Sequence, residues 1–188
     1  MMKIIHSITI FLITLLWINV SIHAVEVSET KLKIKTGKML YVLVKTEWEI
    51  AAKMSGIAEE FYGSVDVQTK TVNISTSIKH QNFYLTGAYK YANDLMHEGF
   101  LESDKYTTAN FQGTIISHDT ATGDIKVKGK MTIHGVTKEN VEISGKLKQE
   151  ANGYLFTSAF KINPKDYNME PPKIKEVDVS VKFELTGN

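Results

Sequence analysis

Apolar and polar residues alternate with a period of two along most of this chain. The clearest example lies near the C-terminus, where Val177, Val179, Val181, Phe183 and Leu185 occupy every second position and polar residues stand between them. Successive side chains of a strand point to opposite faces, so this alternation is typical of a strand that is buried on one face. The sequence therefore predicts an all-β protein whose sheet has one apolar face.

Turn sequences separate the alternating segments. The same period recurs at residues 61–67, 72–78, 125–133, 141–147 and 154–162. The intervening His134-Gly135 and Asn152-Gly153 pairs and the segment 119–124 contain residue types that favour tight turns, and Asn-Gly between apolar runs is a strong hairpin signal. The regular spacing predicts an antiparallel meander of about eight to ten strands, in a sandwich or a barrel. Closure into a barrel would bury the apolar face and remove the exposed edges.

One segment breaks the period of two. Tyr91, Leu95 and Met96 follow one another at helical spacing, and no β-branched residue lies near them. We predict one short helix over residues 89–97, between two strands. Its position makes it a candidate lid over one mouth of the barrel.

Large aromatic residues are numerous for a single domain. A barrel of about eight strands holds either a packed core or one small ligand. The rings could line a cavity or fill it, and the alternation by itself favours filling. The rings in question are Trp48, Phe61, Phe83, Tyr89, Phe100, Phe111, Phe156, Phe160 and Phe183.

The N-terminus differs from the rest of the chain. Residues 1–24 contain a single charge, Lys3, and residues 8–18 are apolar except for two threonines. A basic start, about a dozen apolar residues and a small residue such as Ala24 are typical of a secretory signal peptide. We predict cleavage after Ala24, which leaves a single domain of residues 25–188. An uncleaved membrane anchor is the alternative.

Composition and motifs exclude several kinds of chemistry. The chain has no cysteine, and its 22 basic residues are all lysine in a formal net charge of +1. Disulfides and thiolate sites are therefore excluded, and nucleic acid is not expected as a partner. His97-Glu98 begins a zinc-binding helix motif, but Leu101 stands where the second histidine is required. We predict no catalytic residue and no metal ligand.

Three segments resemble the YceI-like family. Residues 130–138, Lys-Met-Thr-Ile-His-Gly-Val-Thr-Lys, resemble its H-G-V-T-K signature. Residues 94–113 and 160–169 are similar to two further segments of the family, in the same order along the chain. The resemblance implies a lipocalin-like antiparallel β-barrel exported to the bacterial periplasm. It also implies an elongated apolar cavity for a polyisoprenoid or similar amphiphile, such as an isoprenoid quinone, and so favours a cavity over a filled barrel.

The predicted function is that of a periplasmic binding or carrier protein for such a lipid, without catalysis. Its partner is the apolar lipid, the membrane is contacted only transiently, and a homodimer is left open. We selected the residues expected to contact the ligand by size, strand parity and nearness to the helix. They are Trp48, Phe61, Tyr89, Leu95, Met96, Phe111, Phe156, Phe160 and Tyr167.

Two other functions fit the same sequence. A lipid-modifying enzyme on this barrel would require His97, Glu98 and Tyr106 to cluster at the cavity mouth. A filled barrel would instead serve as a surface interaction module. We interpret His134-Gly135 as a tight bend, in which glycine supplies a positive φ and histidine bonds nearby backbone, and not as a catalytic element.

Overall fold

A computed structural model of the protein describes residues 31–43, 55–84, 93–169 and 176–187. These residues form ten strands, a π-helix Leu95–Phe100 and a 3₁₀-helix Pro164–Tyr167. The strands are β1 Lys31–Leu43, β2 Ser55–Ala58, β3 Phe61–Asp66, β4 Thr71–Ser77, β5 Asn82–Tyr84, β6 Thr108–His118, β7 Asp124–Ile133, β8 Val136–Glu150, β9 Gly153–Ile162 and β10 Val177–Gly187.

Eight of the strands close a barrel. They pair antiparallel in the order β1, β3, β4, β6, β7, β8, β9, β10, and β10 pairs back with β1 from Leu32 to Leu43. The remaining two strands, β2 and β5, extend this ring. Strand β2 pairs with β1 in the same register as β3 does, further along β1, and β5 pairs with β2 beyond the end of β4. The predicted all-β antiparallel barrel with one short helix is confirmed, and closure leaves no edge in the ring.

The helix ends later than the sequence predicted. Residues 93 and 94 are α-helical and Leu95–Phe100 forms a single π-helical turn, so the end lies at Phe100 and not at His97. The wide turn closes because the N–H of Leu101 donates to the carbonyl of Met96 at 2.8 Å. Such a turn inserts an extra residue into the helical period, which a search for regular spacing does not detect. The predicted residues 89–92 lie outside the described part of the chain.

The two ends of the barrel are built differently. At one end, here called the floor, the turns 67–70, 119–123 and 151–152 are short. At the other end, the mouth, lie the π-helix, the His134-Gly135 turn and the 3₁₀-helix. The longest described connections therefore meet at the mouth.

Packing at the floor is tight. Leu32 and Leu185 are each only 1% exposed, and Ile115 is 4% exposed. Higher in the barrel, Gly37 leaves room for two rings, since a Cβ there would lie 2.6 Å from Phe61 and 2.8 Å from Phe183. The inward apolar residues of the alternating strands thus form a tightly packed floor, and aromatic rings lie above it.

Candidate functional site

A cavity occupies the interior of the barrel between the floor and the mouth. Its volume is about 190 Å³, measured as the space open to the centres of water molecules, and about 1470 Å³ when all empty space within its walls and opening is included. By the first measure, one water molecule needs only about 10–15 Å³. The alternation alone had favoured a filled interior, and the structure shows an unfilled one. The space is on the scale of a chain-like ligand.

The strands line this cavity with the apolar half of each alternating pattern. Strand β7 contributes Ile125, Val127, Met131 and Ile133, and the outward residues between them are mostly lysines. None of the described residues that line the cavity carries a titratable side chain. The wall can therefore bury apolar surface but offers a ligand no charge within the described part of the chain.

Aromatic rings form the broadest part of the wall. Nine large rings were considered in the sequence as lining or filling the barrel, and the seven that the structure describes all lie on this wall. They are Phe61, Phe83, Phe100, Phe111, Phe156, Phe160 and Phe183. The centroids of Phe61 and Phe183 are 4.9 Å apart, and Phe156 stacks on Phe183 at 5.9 Å. These mutual contacts hold the rings in place around the empty space.

The structure brings five of the nine predicted ligand-contacting residues to the cavity wall. These five are Phe61, Met96, Phe111, Phe156 and Phe160. Trp48 and Tyr89 lie outside the described residues. Whether any of the nine contacts a ligand stays a prediction.

Leu95 and Tyr167 do not line the cavity. Leu95 precedes Met96 on one helical turn, and it is Met96 that faces the cavity. Tyr167 is 5% exposed within the core, and burial raises the pKa of its phenol. Pro164 and Met169 face the cavity from that segment instead.

Some lining residues were not among those predicted. Phe83, Phe100 and Phe183 were noted only as large rings, although the parity of Phe183 with Val181 already indicated its inward direction. Gln81 was not singled out at all, because a polar residue in the segment Lys79-His80-Gln81-Asn82 is typical of an exposed turn. In the structure Gln81 is only 3% exposed and lines the cavity.

Side-chain hydrogen bonds attach the helical segment to strand β5 and to Gln81, the residue just before it. The N–H of Phe83 donates to Oδ1 of Asn93 at 2.6 Å, and Nε2 of His97 lies 2.8 Å from the carbonyl oxygen of Gln81. The Phe83 and His97 rings meet edge to face at 5.5 Å. His97 therefore donates from Nε2 and ties the helix to the strand.

The cluster that an enzyme would require is not formed. Glu98 is exposed, and Tyr106 packs on the ring of His134 with centroids 4.2 Å apart. Among the described residues, no hydrogen bond or ring contact links His97, Glu98 and Tyr106 to one another. Within that part of the chain there is likewise no group of three or more metal-binding side chains, and no helix long and apolar enough to cross a membrane.

His134 joins three segments of the mouth. Its Nε2 lies 2.8 Å from Oε2 of Glu102 in the loop after the π-helix, and its Nδ1 lies 3.2 Å from the carbonyl oxygen of Tyr167 in the 3₁₀-helix. The third segment is the β7–β8 turn itself, and the His134 side chain is 9% exposed there.

The predicted bend at His134-Gly135 is confirmed. Both residues have positive φ, +51° and +72°. Gly135 is required for a second reason, because a Cβ there would lie 2.6 Å from the Tyr106 ring. We had expected the histidine to bond backbone close to it in the sequence. Its backbone partner, the carbonyl of Tyr167, is instead 33 residues away along the chain.

Comparison with known proteins places this fold in a family. A model of the YceI-like domain matches residues 25–187. The chain belongs to the YceI-like family. No curated protein matches it significantly.

Solved structures share the fold of this YceI-like chain at low sequence identity. One is Burkholderia cenocepacia BcnA, with a TM-score of 0.58, 17% identity, and coverage of 79% of this chain and 94% of BcnA. Another is a polyisoprenoid binding domain from Saccharophagus degradans, implicated in plant cell wall breakdown. It matches with a TM-score of 0.62 and 12% identity, over 85% of this chain and 99% of that domain.

Proposed function

We propose that this protein is a periplasmic carrier that holds a polyisoprenoid or similar long-chain amphiphile in the barrel cavity and catalyses no reaction on it. The apolar lining of the cavity is the observation that carries the proposal. Each methylene buried there contributes about 0.8 kcal/mol, so a few isoprene units supply useful affinity before the ordering costs. The polyisoprenoid binding domain that shares this fold supports the same class of ligand.

The ligand chain would run along the aromatic wall. We assign its contacts to the predicted residues that line the cavity: Phe61, Met96, Phe111, Phe156 and Phe160. The proposal includes residues 1–24 as the signal peptide that directs export, with 25–188 as the mature lipid-binding domain. The carrier would meet the membrane only while it takes up or releases its lipid.

Native extraction tests this function. The protein is expressed with residues 1–24 in a Gram-negative host, purified from the periplasm without detergent, and denatured, and the released lipids are identified by mass spectrometry. We expect a long-chain amphiphile at a reproducible stoichiometry, and an intact protein mass that corresponds to a chain starting at Val25. Preparations that release only buffer components would remove the support for a carrier.

A pair of variants locates the lipid. Phe160→Glu places a carboxylate on the cavity wall, where the charge loses its hydration, so the co-purified lipid should be lost. Ala159→Glu introduces the same side chain at an exposed position of the same strand and should leave the lipid content unchanged. Equal lipid content in folded Phe160→Glu protein would show that the lipid does not lie in this cavity.

A further inference from the structure

The polar groups of the cavity are confined to one end. Asn110 borders the cavity, but its side chain lies on the outer face of the barrel beside Gln112 and Thr132. The other polar lining residues among those described are Thr76 and Gln81, and both lie toward the mouth. The walls near the floor are formed by Val65, Val72 and other aliphatic side chains. The cavity thus has the polarity of an amphiphile, with a polar end and an apolar end.

Gln81 is the more deeply buried of these two residues, at 3% exposure against 5% for Thr76. Oγ1 of Thr76 donates to the carbonyl oxygen of Glu60 at 2.8 Å, so this short side chain lies along the wall. The side chain of Gln81 is longer, so its amide reaches further from the backbone.

The backbone fixes Gln81 on the wall. Its N–H donates to the carbonyl of Ile78 at 3.2 Å, and its carbonyl oxygen lies 2.8 Å from Nε2 of His97. Ile78 and Phe83, on either side of it, line the cavity as well. The amide is therefore presented among apolar groups at the mouth by a segment that is held from two sides.

We propose that the Gln81 side chain binds the head group of the ligand, that this head group is uncharged, and that the tail points to the floor. The inference rests on the proposed function and names its class of ligand. An amide offers both a donor and an acceptor, which suits a hydroxyl, carbonyl or amide head group. An anion would lose its hydration beside described lining residues that carry no countercharge.

Three probes of matched chain length test the proposal on delipidated mature protein. Geranylgeraniol has a hydroxyl head, geranylgeranyl phosphate has an anionic head, and phytane has no head group. Affinities are measured by displacement of a fluorescent apolar probe. We expect geranylgeraniol to bind about tenfold more tightly than phytane, equivalent to about 1.4 kcal/mol, and more tightly than the phosphate.

The decisive variant is Gln81→Met, which keeps an unbranched side chain of similar length without the amide. It should bind phytane as the wild type does and lose the tenfold preference for geranylgeraniol. Gln112→Met, at an exposed position of β6, is the matched control and should keep that preference. Gln81→Leu provides a second variant, and the ratio of two affinities within each protein is insensitive to a reduced folded fraction.

The outcomes separate the two proposals. Wild-type protein that binds none of the three probes would overturn both the carrier function and the head-group site. Binding of all three with equal affinity, or a preference for the phosphate, would overturn the head-group site alone. A Gln81→Met protein that keeps the preference, or that binds every probe more weakly by one common factor, would also overturn it, because Gln81 would then act only in packing.

Discussion

The floor and the mouth of the barrel are stabilised by different interactions. At the floor, Leu32 and Leu185 are almost fully buried and the connecting turns are short. At the mouth, polar bonds join segments that are far apart in the chain, such as His134 with Glu102 and His97 with Gln81. Each such bond contributes only about 0.5–1.5 kcal/mol net, whereas burial of one large aliphatic side chain contributes about 1.5–3 kcal/mol.

This contrast assigns different roles to the two ends. Segments that are joined by a few polar bonds open locally at lower cost than a tightly packed apolar core does. For the proposed carrier, the mouth is therefore the end at which the barrel would admit its ligand, and the floor is the end that keeps it folded. The π-helix and the polar cavity residues both lie at the mouth.

The largest effect is expected from a cavity cut into the floor. Leu185→Ala should lower the free energy of unfolding by about 2–5 kcal/mol, because it removes buried methyl groups and leaves a void. Denaturant titration measures this cost. Leu155→Ala on the neighbouring β9, whose side chain is only partly buried, is the matched control and should cost clearly less. Equal costs for the two substitutions would show that the interior of the floor is no more tightly packed than its outer face.

A smaller but more localised effect is expected at the mouth. His134→Asn removes both ring bonds and keeps a residue type that tolerates φ of +51°. We expect unfolding to become easier by about 1–3 kcal/mol. Hydrogen exchange should accelerate in the Glu102 loop and the 3₁₀-helix while the floor strands keep their protection.

The control for His134→Asn is a second histidine. His118 lies at the floor end of β6, and His118→Asn should leave exchange at the mouth unchanged. If His134→Asn accelerated exchange uniformly through the barrel, the mouth would not be a separately opening unit.

The strands and the apolar wall could be predicted from the sequence more fully than the mouth could. The inward positions on β7 and the wall position of Phe160 follow from a period of two, since the buried face of a strand is visible in its local alternation of apolar and polar residues. The bond between His134 and Glu102 joins residues 32 apart, and no local period records such a contact. The buried Gln81 was missed for the same reason, because a segment without periodicity and rich in polar residues resembles a solvent-exposed turn.

The smallest effect is expected from the ion pair outside the mouth. Nζ of Lys79 lies 2.9 Å from Oδ1 of Asp104, and both side chains are largely exposed, at 61% and 88%. The hydrogen bond and charge of Lys79 lower the pKa of Asp104 below 3.8, and Asp104 raises the pKa of Lys79 above 10.5. A lowered carboxyl pKa stabilises the folded state at neutral pH, and that contribution is lost as the pH falls through the folded pKa.

The comparison of wild type with Asp104→Asn tests the pair. We expect a barely measurable decrease in melting temperature at pH 7, because exposed pairs are screened by solvent. The difference should shrink as the pH falls through the lowered folded-state pKa of Asp104, because the carboxyl group of the wild type then becomes protonated. Lys79→Met is the reciprocal variant, and the double variant should be no less stable than either single one. A large loss at pH 7, or a difference that grows toward acid pH, would mean that surface charge and not the His134 junction holds the mouth together.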